Sequence, residues 1–322
     1  MNIRFGILGA ARIAPAAIVR PVTANRGTSL AAVASRTPEH ARRFAEQHGI
    51  PTAHSSMEAL LEDDTVDACY IALPNSEHTA WAIRALEAGK HVLVEKPAAR
   101  NEAEAERLAA AAASADRVCM VGFHNRHHAF FAQVRELLPT IGTLESVTSR
   151  FHINLERRDD IRLDYELGGG ALMDLGCYEL QFLRALIGVE PAVIDAEYVP
   201  ADDDRVDQRM DAHLQYGTVR ASISSALFEP EESQRVHFRG SQGDLIVDGF
   251  VLPHRGNRIH LAVPGARHDH HAPTERTTYD DQLTRFIAAI HHDRGFSTTP
   301  AESVGIMRDI DAIYLAAGLP LR

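Results

Sequence analysis

The chain has 322 residues, enough for two domains of roughly 100–200 residues each, and its 45% hydrophobic and 24% charged content is that of an ordinary soluble globular protein. A net charge of -11 argues against nucleic acid or an anionic membrane as default partner, and no apolar run reaches the roughly 18 residues of a membrane span. Cys69, Cys119 and Cys177 lie far apart, each in an apolar run, which predicts buried small hydrophobes in a reducing, cytoplasmic setting and no disulfide framework.

Residues 3–8 read as a short apolar strand bounded by Gly9, followed by Gly9-Ala10-Ala11-Arg12-Ile13-Ala14 and a helix-like segment to about residue 25. The dinucleotide fingerprint is G-x-G-x-x-G/A between a strand and a helix. Here Ala11 takes the second position, where glycine normally lets the backbone approach the pyrophosphate, and Ala14 the third. Gly9, Ala11, Arg12 and Ile13 are the cofactor candidates of this turn. A second strand at 29–34 ends in Ser35-Arg36, with no acidic residue to grip a ribose hydroxyl. A hydroxyl beside a guanidinium suits a 2′-phosphate, so the expected cofactor is NADP(H) in preference to NAD(H). The simpler reading of Arg36 is that it begins a solvated segment.

Helices follow at 38–48 and 56–61, then a strand at 66–73 ending in Pro74-Asn75-Ser76-Glu77-His78. Leu73, Pro74, Asn75 and His78 are candidates for a second lip of the cofactor cleft, although Asn75 and Ser76 can equally cap a helix over 77–88. The uncharged run Val92 to Val94 suits a strand buried on both faces, and it stops at Glu95-Lys96-Pro97. Ligands of open α/β sheets bind at such carboxyl ends, and the proline keeps Lys96 out of the helical region. A surface lysine at a strand end is the plain alternative. A helix at 101–113 and a strand at 118–121 complete an alternation that predicts a doubly wound parallel sheet over residues 1–121.

After Gly122 the pattern changes. His124-Asn125-Arg126-His127-His128 stands just past a strand end, a position that can face the same cleft, with Asn125 and Arg126 as candidates. A helix runs to about 138, an alternating strand spans 144–155 and carries the pocket candidate His152, and 156–166 reads as a polar loop. Gly168-Gly169-Gly170 then permits close approach of another backbone or a ligand ahead of an amphipathic helix over 171–187. Asp174 and Tyr178 are i,i+4 and share a face near its start. Taken singly, Asp174 complements the helix dipole and Tyr178 is a core residue with its hydroxyl at the rim. Alternating runs over 192–261, with turn signals at Gly217 and at 241–243, predict a large, mostly antiparallel sheet. Helices at 277–292 and 301–317 close the chain. His268, His270 and His271 read as a solvated loop, and the adjacent His291 and His292 point apart on a helix. No metal site is expected.

Gly-Ile-Leu-Gly-Ala-Ala-Arg-Ile-Ala at 6–14, Ser35-Arg36, Glu95-Lys96-Pro97 and Gly-Gly-Gly-Ala-Leu-Met-Asp-Leu-Gly-Cys-Tyr at 168–178 together resemble the glucose-fructose oxidoreductase/inositol dehydrogenase family, Gfo/Idh/MocA, over nearly the whole chain. Tyr178 makes the chain look most similar to the dihydrodiol dehydrogenase, sugar dehydrogenase and glucose-fructose oxidoreductase branch. The resemblance implies an N-terminal Rossmann domain (1–121) and a C-terminal α+β domain (122–322) with an open-faced sheet. The flat side of that sheet would mediate a homodimer or homotetramer, and the final helix (301–317) would return to the nucleotide domain. It also implies hydride transfer between nicotinamide and a carbinol or carbonyl carbon of a sugar, polyol or cyclic diol. Lys96, Asp174 and Tyr178 map onto the family's catalytic set, with Glu95, Lys96 and Pro97 along the cofactor and Lys96, Asn125, His152, Asp174 and Tyr178 around the substrate. In that set Tyr178 is the acid/base, Lys96 the charge that stabilises its phenolate, and Asp174 holds Lys96 or the substrate hydroxyl. Phe-His-Asn-Arg at 123–126 departs from the usual Phe-Met-Tyr-Arg-like stretch, which bears on the substrate. Two alternatives stay open: a non-catalytic NADP(H)-binding regulator and a reductase of non-sugar carbonyls.

Overall fold

The computed structural model describes residues 2–291 and 295–322. It contains two compact units, the first built from residues up to Ala99, Ala103–Gly122 and Tyr279–Val304, the second from Arg100–Glu102, Phe123–Thr278 and Gly305–Arg322.

In the first unit the alternation runs β1 (Ile3–Leu8), α1 (Arg20–Ala24), β2 (Thr28–Ala34), α2 (Pro38–His48), β3 (Thr52–Ala53), α3 (Met57–Leu61), β4 (Ala68–Ile71), α4 (Asn75–Glu87), β5 (His91–Val94), α5 (Glu102–Ser114) and β6 (Cys119–Val121). The strands pair in parallel in the order β3-β2-β1-β4-β5-β6. This is the doubly wound arrangement in which the order reverses between β1 and β4, and ligands bind outside the strand ends at that point. Ile7, Leu8, Tyr70, Ile71, Val92, Leu93 and Val94 have no solvent exposure, as expected of strands covered on both faces. Thr37 and Ser56 cap α2 and α3, accepting from the backbone N–H groups of His40 and Ala59. The capping role considered for Asn75 and Ser76 is not realised. Pro74, extended at ψ 151°, occupies the cap position without a side-chain bond, and the helix already includes Asn75.

The second unit begins with α6 (Ala129–Leu137), β7 (Leu144–Asn154) and α7 (Cys177–Ile187). It continues with β8 (Ala192–Pro200), β9 (Asp207–Tyr216), β10 (Val219–Ala226), β11 (Phe228–Gly240), β12 (Gly243–Asp248), β13 (Arg258–Val263) and β14 (Ala266–His270). These eight strands form one sheet in the order β14-β13-β12-β11-β7-β10-β9-β8, antiparallel except for the parallel pair β7–β10. Along β7, Val147, Ser149 and Phe151 are buried and alternate with exposed Thr148 and Arg150, so one face packs inward and the other is polar. His268 and His270, read as part of a solvated loop with His271, lie instead on the edge strand β14. Its Arg-His-Asp-His sequence carries no apolar alternation because both faces of that edge are polar.

The helix expected over 171–187 starts as a π-helical turn, Leu172–Gly176, before continuing as α7. At the carboxyl end, α8 (Thr278–His291) and α9 (Pro300–Ala316) close the fold; His292 lies outside the described residues. Phe286 of α8 packs on Phe5 of β1 with ring centroids 6.0 Å apart, while α9 from Gly305 onward clusters with the second unit. Cys69, Cys119 and Cys177 are buried thiols. Burial pushes the thiols of Cys69 and Cys119 up to about 12. Among the described residues no helix is long and apolar enough to cross a membrane.

Candidate active site

In the first unit the candidate residues gather at the carboxyl ends of β1, β2, β4 and β5. Gly9 has φ +98°, and a Cβ there would collide with the carbonyl oxygen of Ala72, so the turn after β1 demands glycine. Ala10 and Ala11 are only partly buried and add no bulk in front of the helical segment that starts at Pro15. Pro15 has no N–H, and the N–H groups of Ala14, Ala16 and Ala17 already donate to the carbonyls of Ala11 and Ile13, so a pyrophosphate would rest on the backbone of the turn ahead of the helix. Arg12 and Ile13 are exposed on the same turn.

At the end of β2, Ser35 is buried and its Oγ donates to the carbonyl of Thr37 at 2.9 Å. Arg36 is exposed. The guanidinium is therefore the ready donor for a 2′-phosphate, and the serine hydroxyl would have to rotate to join it.

His78 is buried, with Nε2 2.8 Å from the carbonyl of Leu73 and Nδ1 2.7 Å from that of Pro97. It ties the segment after β4 to the segment after β5. Burial pushes the ring down to about 4, so the neutral imidazole has a single N–H to give to these two carbonyls. Glu95 is also buried and accepts a hydrogen bond from the Tyr70 hydroxyl at 2.8 Å. Lys96 follows, half-buried, with a cis peptide bond to Pro97. Small residues on the glycine turn and an exposed arginine at the next strand end fit a phosphorylated dinucleotide.

In the second unit the chemistry is concentrated where the three-glycine turn enters α7. Gly170 has φ +137°, and a Cβ there would collide with the Asp207 carboxylate and the Tyr314 hydroxyl. Asp207 Oδ2 accepts from the backbone N–H of Leu172 at 2.7 Å, and Oδ1 accepts from Tyr314 at 3.0 Å and from Arg322 at 2.9 Å. Arg322 also donates from Nε to the carbonyl of Gly169 at 2.8 Å. The close approach that the glycines permit is thus to the protein's own buried ion pair, which fixes the start of the helix.

Asp174, in the π turn, accepts from Nε of Arg162 at 2.6 Å, and Nη1 of Arg162 reaches Asp160 at 3.0 Å. Asp174 above all holds the Arg162 guanidinium charged. Tyr178 is 5% exposed. The rings of Phe123 and Phe151 meet it edge-on, with centroids at 5.6 and 6.0 Å. Its hydroxyl lies 2.9 Å from Nε2 of His124.

Glu179, the next residue, points to the sheet and accepts from Ser225 Oγ at 2.5 Å. Burial pushes its carboxyl up to about 8.

Two other candidates have local partners. Asn125 is buried and its Nδ2 donates to the carbonyl of Phe250 at 3.4 Å, while the Arg126 guanidinium sits 3.8 Å from the centre of the Phe131 ring. His152 is not brought to Tyr178. Phe151 is on the inward face of β7, so by strand alternation His152 projects from the outward face, where Nε2 meets Ser224 Oγ at 2.9 Å. The sequence reading passed over His124 and Arg162. The first stood in the segment already singled out, one residue before Asn125; the second lay in a stretch read as loop, where the nearby Asp160 was its only signal. No cluster of three metal-ligating side chains forms among the described residues.

Comparison with known proteins identifies the family. The oxidoreductase family with an NAD-binding Rossmann fold, Gfo/Idh/MocA, matches residues 3–123, and the Gfo/Idh/MocA C-terminal domain matches residues 131–246. A D-xylose 1-dehydrogenase (NADP(+)) of Haloferax volcanii is 34% identical over 97% of each chain. A trans-1,2-dihydrobenzene-1,2-diol dehydrogenase of Xenopus tropicalis is 30% identical, covering 69% of this chain and 73% of its own. Among solved structures, the 3-ketoreductase KijD10 of Actinomadura kijaniata with NADP and TDP-benzene superposes with a TM-score of 0.89 at 28% identity, covering 98% of each chain. The chain belongs to the Gfo/Idh/MocA family of oxidoreductases.

Proposed function

We propose that the protein is an NADP-dependent oxidoreductase acting on a carbinol or carbonyl carbon of a sugar, polyol or cyclic diol. The observation that carries this reading is Tyr178, a phenol held by aromatic edges with its hydroxyl directed to a polar partner, in a chain similar along its whole length to a xylose dehydrogenase. Gly9, Ala11, Arg12 and Ile13 hold the pyrophosphate, Arg36 with Ser35 the 2′-phosphate, and the segments Leu73–His78 and Glu95–Pro97 the nicotinamide half. When bound, the cofactor supplies the hydride acceptor or donor.

The protein's own residues manage the proton. Tyr178 takes the proton from the substrate hydroxyl in oxidation and returns it in reduction. A free phenol has a pKa of about 10, too high for a base at neutral pH. The role that the family resemblance gives Lys96, a positive charge that favours the phenolate, answers that mismatch. In this reading Asp174, held by Arg162, orients the substrate hydroxyl, and Asn125 is a further substrate contact.

A panel of aldoses, polyols, cyclic diols and ketosugars, followed by reduced-nicotinamide absorbance with both cofactors, tests the reading. Turnover with NADP exceeding that with NAD is expected, and an Arg36→Ala variant should lose most of that preference. Binding of NADPH without turnover of any panel member would favour a regulator.

A further inference from the structure

We propose that His124 is a positioning residue of the reaction, the proton partner of Tyr178, so that the two side chains act as a dyad. The inference rests on the reading of Tyr178 as the acid/base group and extends it to a residue that nothing in the family resemblance assigned.

The geometry carries it. Nε2 of His124 is 2.9 Å from the Tyr178 hydroxyl, within hydrogen-bonding distance, and His124 and Tyr178 are 2% and 5% exposed. Their rings meet at an interplanar angle of 62° with centroids 5.6 Å apart, so the imidazole presents its edge to the phenol. His124 begins a short 3-10 turn, His124–His127, immediately after Phe123, whose ring stands at 87° to Tyr178. One dipeptide therefore supplies both an apolar wall and a polar partner.

A buried phenol that must give up and regain its proton needs a group that can hold that proton near neutral pH. Histidine is the side chain whose ordinary pKa allows this. Other ionisable groups around the helix start are engaged elsewhere. Asp174 holds Arg162, Glu179 faces Ser225 across the sheet side, and His152 is on the far face of β7. On the segment of His124 itself, Arg126 lies on Phe131, and His128 accepts from the backbone of Phe130. His127 is the remaining titratable neighbour on that turn.

In the oxidising direction, the substrate O–H bond breaks as its proton passes to Oη of Tyr178. The phenol's own proton has first passed to Nε2 of His124, so that an imidazolium stands beside the phenolate that receives the substrate's proton. The carbinol hydride is the one the proposed reaction already assigns to the nicotinamide. Reduction runs the same transfers backwards.

His124→Gln keeps a hydrogen-bonding side chain but cannot carry the proton. It should lower kcat by about 10²-fold, the lower end of the usual general acid–base contribution, with KM little changed. One ionisation should vanish from the pH–rate profile, and added imidazole should restore activity to His124→Gly. Independently of turnover, NMR titration of the cofactor-free protein with labelled histidine should show the His124 pKa moving in Tyr178→Phe. Full kcat with an unaltered profile in His124→Gln overturns the dyad, as does a His124 titration indifferent to Tyr178→Phe, a readout available even if the glutamine variant fails to fold. If Tyr178→Phe itself keeps full turnover, the parent reading falls; if it is inactive while His124→Gln is fully active, only the dyad falls.

Discussion

Tyr178 and Glu179 are consecutive, both buried, and opposite in their surroundings. Tyr178 is framed by Phe123 and Phe151 and meets a histidine nitrogen; Glu179 turns to the inner face of the sheet and meets a serine hydroxyl. Neighbours on a helix diverge by about 100°, so a single turn can place proton chemistry on one side and anchorage on the other. On the proposed reading depth of burial does not separate function from support, because both residues are almost inaccessible. What separates them is the partner.

The largest expected effect tests the Tyr178 side. Tyr178→Phe and Lys96→Ala should each reduce kcat by about 10²–10⁴-fold, with unchanged circular dichroism and retained NADPH binding. Glu179→Gln, one residue away, should change kcat by no more than a few fold. Comparable losses in Tyr178→Phe and Glu179→Gln would break the division between the two faces.

A second expectation concerns what holds the helix start. Arg322→Ala leaves the Asp207 carboxylate buried without its cation, both side chains of the pair being 0% exposed. Removing one member of a buried pair costs about 3–5 kcal/mol, which chemical denaturation should register as a lower midpoint. An unchanged midpoint would show that Tyr314 and the Leu172 N–H suffice.

The smallest effect is a slope. Burial raises the Glu179 carboxyl from 4.5 to about 8, so the folded state binds its proton more tightly than the unfolded state does. The stability tied to that proton is complete below 4.5, declines as pH rises towards about 8, and is gone above it. Thermal midpoints of Glu179→Gln should fall less steeply over that window than those of the wild type. His78 works in the opposite sense. Lowered from 6.5 to about 4, its neutral ring contributes stability above 6.5 that is lost as pH falls through about 4. His78→Asn should therefore flatten the acid limb and leave the alkaline one.

Much of the fold was legible because its signals are periodic. Apolar strands alternating with helices announced the parallel sheet, and Gly9 marked its first turn. Within the candidate site, residue type and helix position singled out Tyr178, and the structure adds its partner, His124. The signal was lost where parity or partner decided the matter. His152 differs from Phe151 by one step along β7, and that step moves it to the other face. Similarly, His124 rather than its neighbours Asn125 and Arg126 meets the phenol. Arg162 pairs with Asp174 across a loop, and no periodicity connects residues 12 apart in such a segment. The glycines at 168–170 announced a close approach without saying whether a ligand or the chain's own Asp207 and Arg322 would fill it.

The most direct test of the central claim is turnover of wild type and Tyr178→Phe side by side, on the best substrate of the sugar, polyol and diol panel with saturating NADP(H). The account predicts a wild-type rate at least about 10²-fold above the variant, with equal NADPH affinity in the two proteins. Equal rates would contradict it.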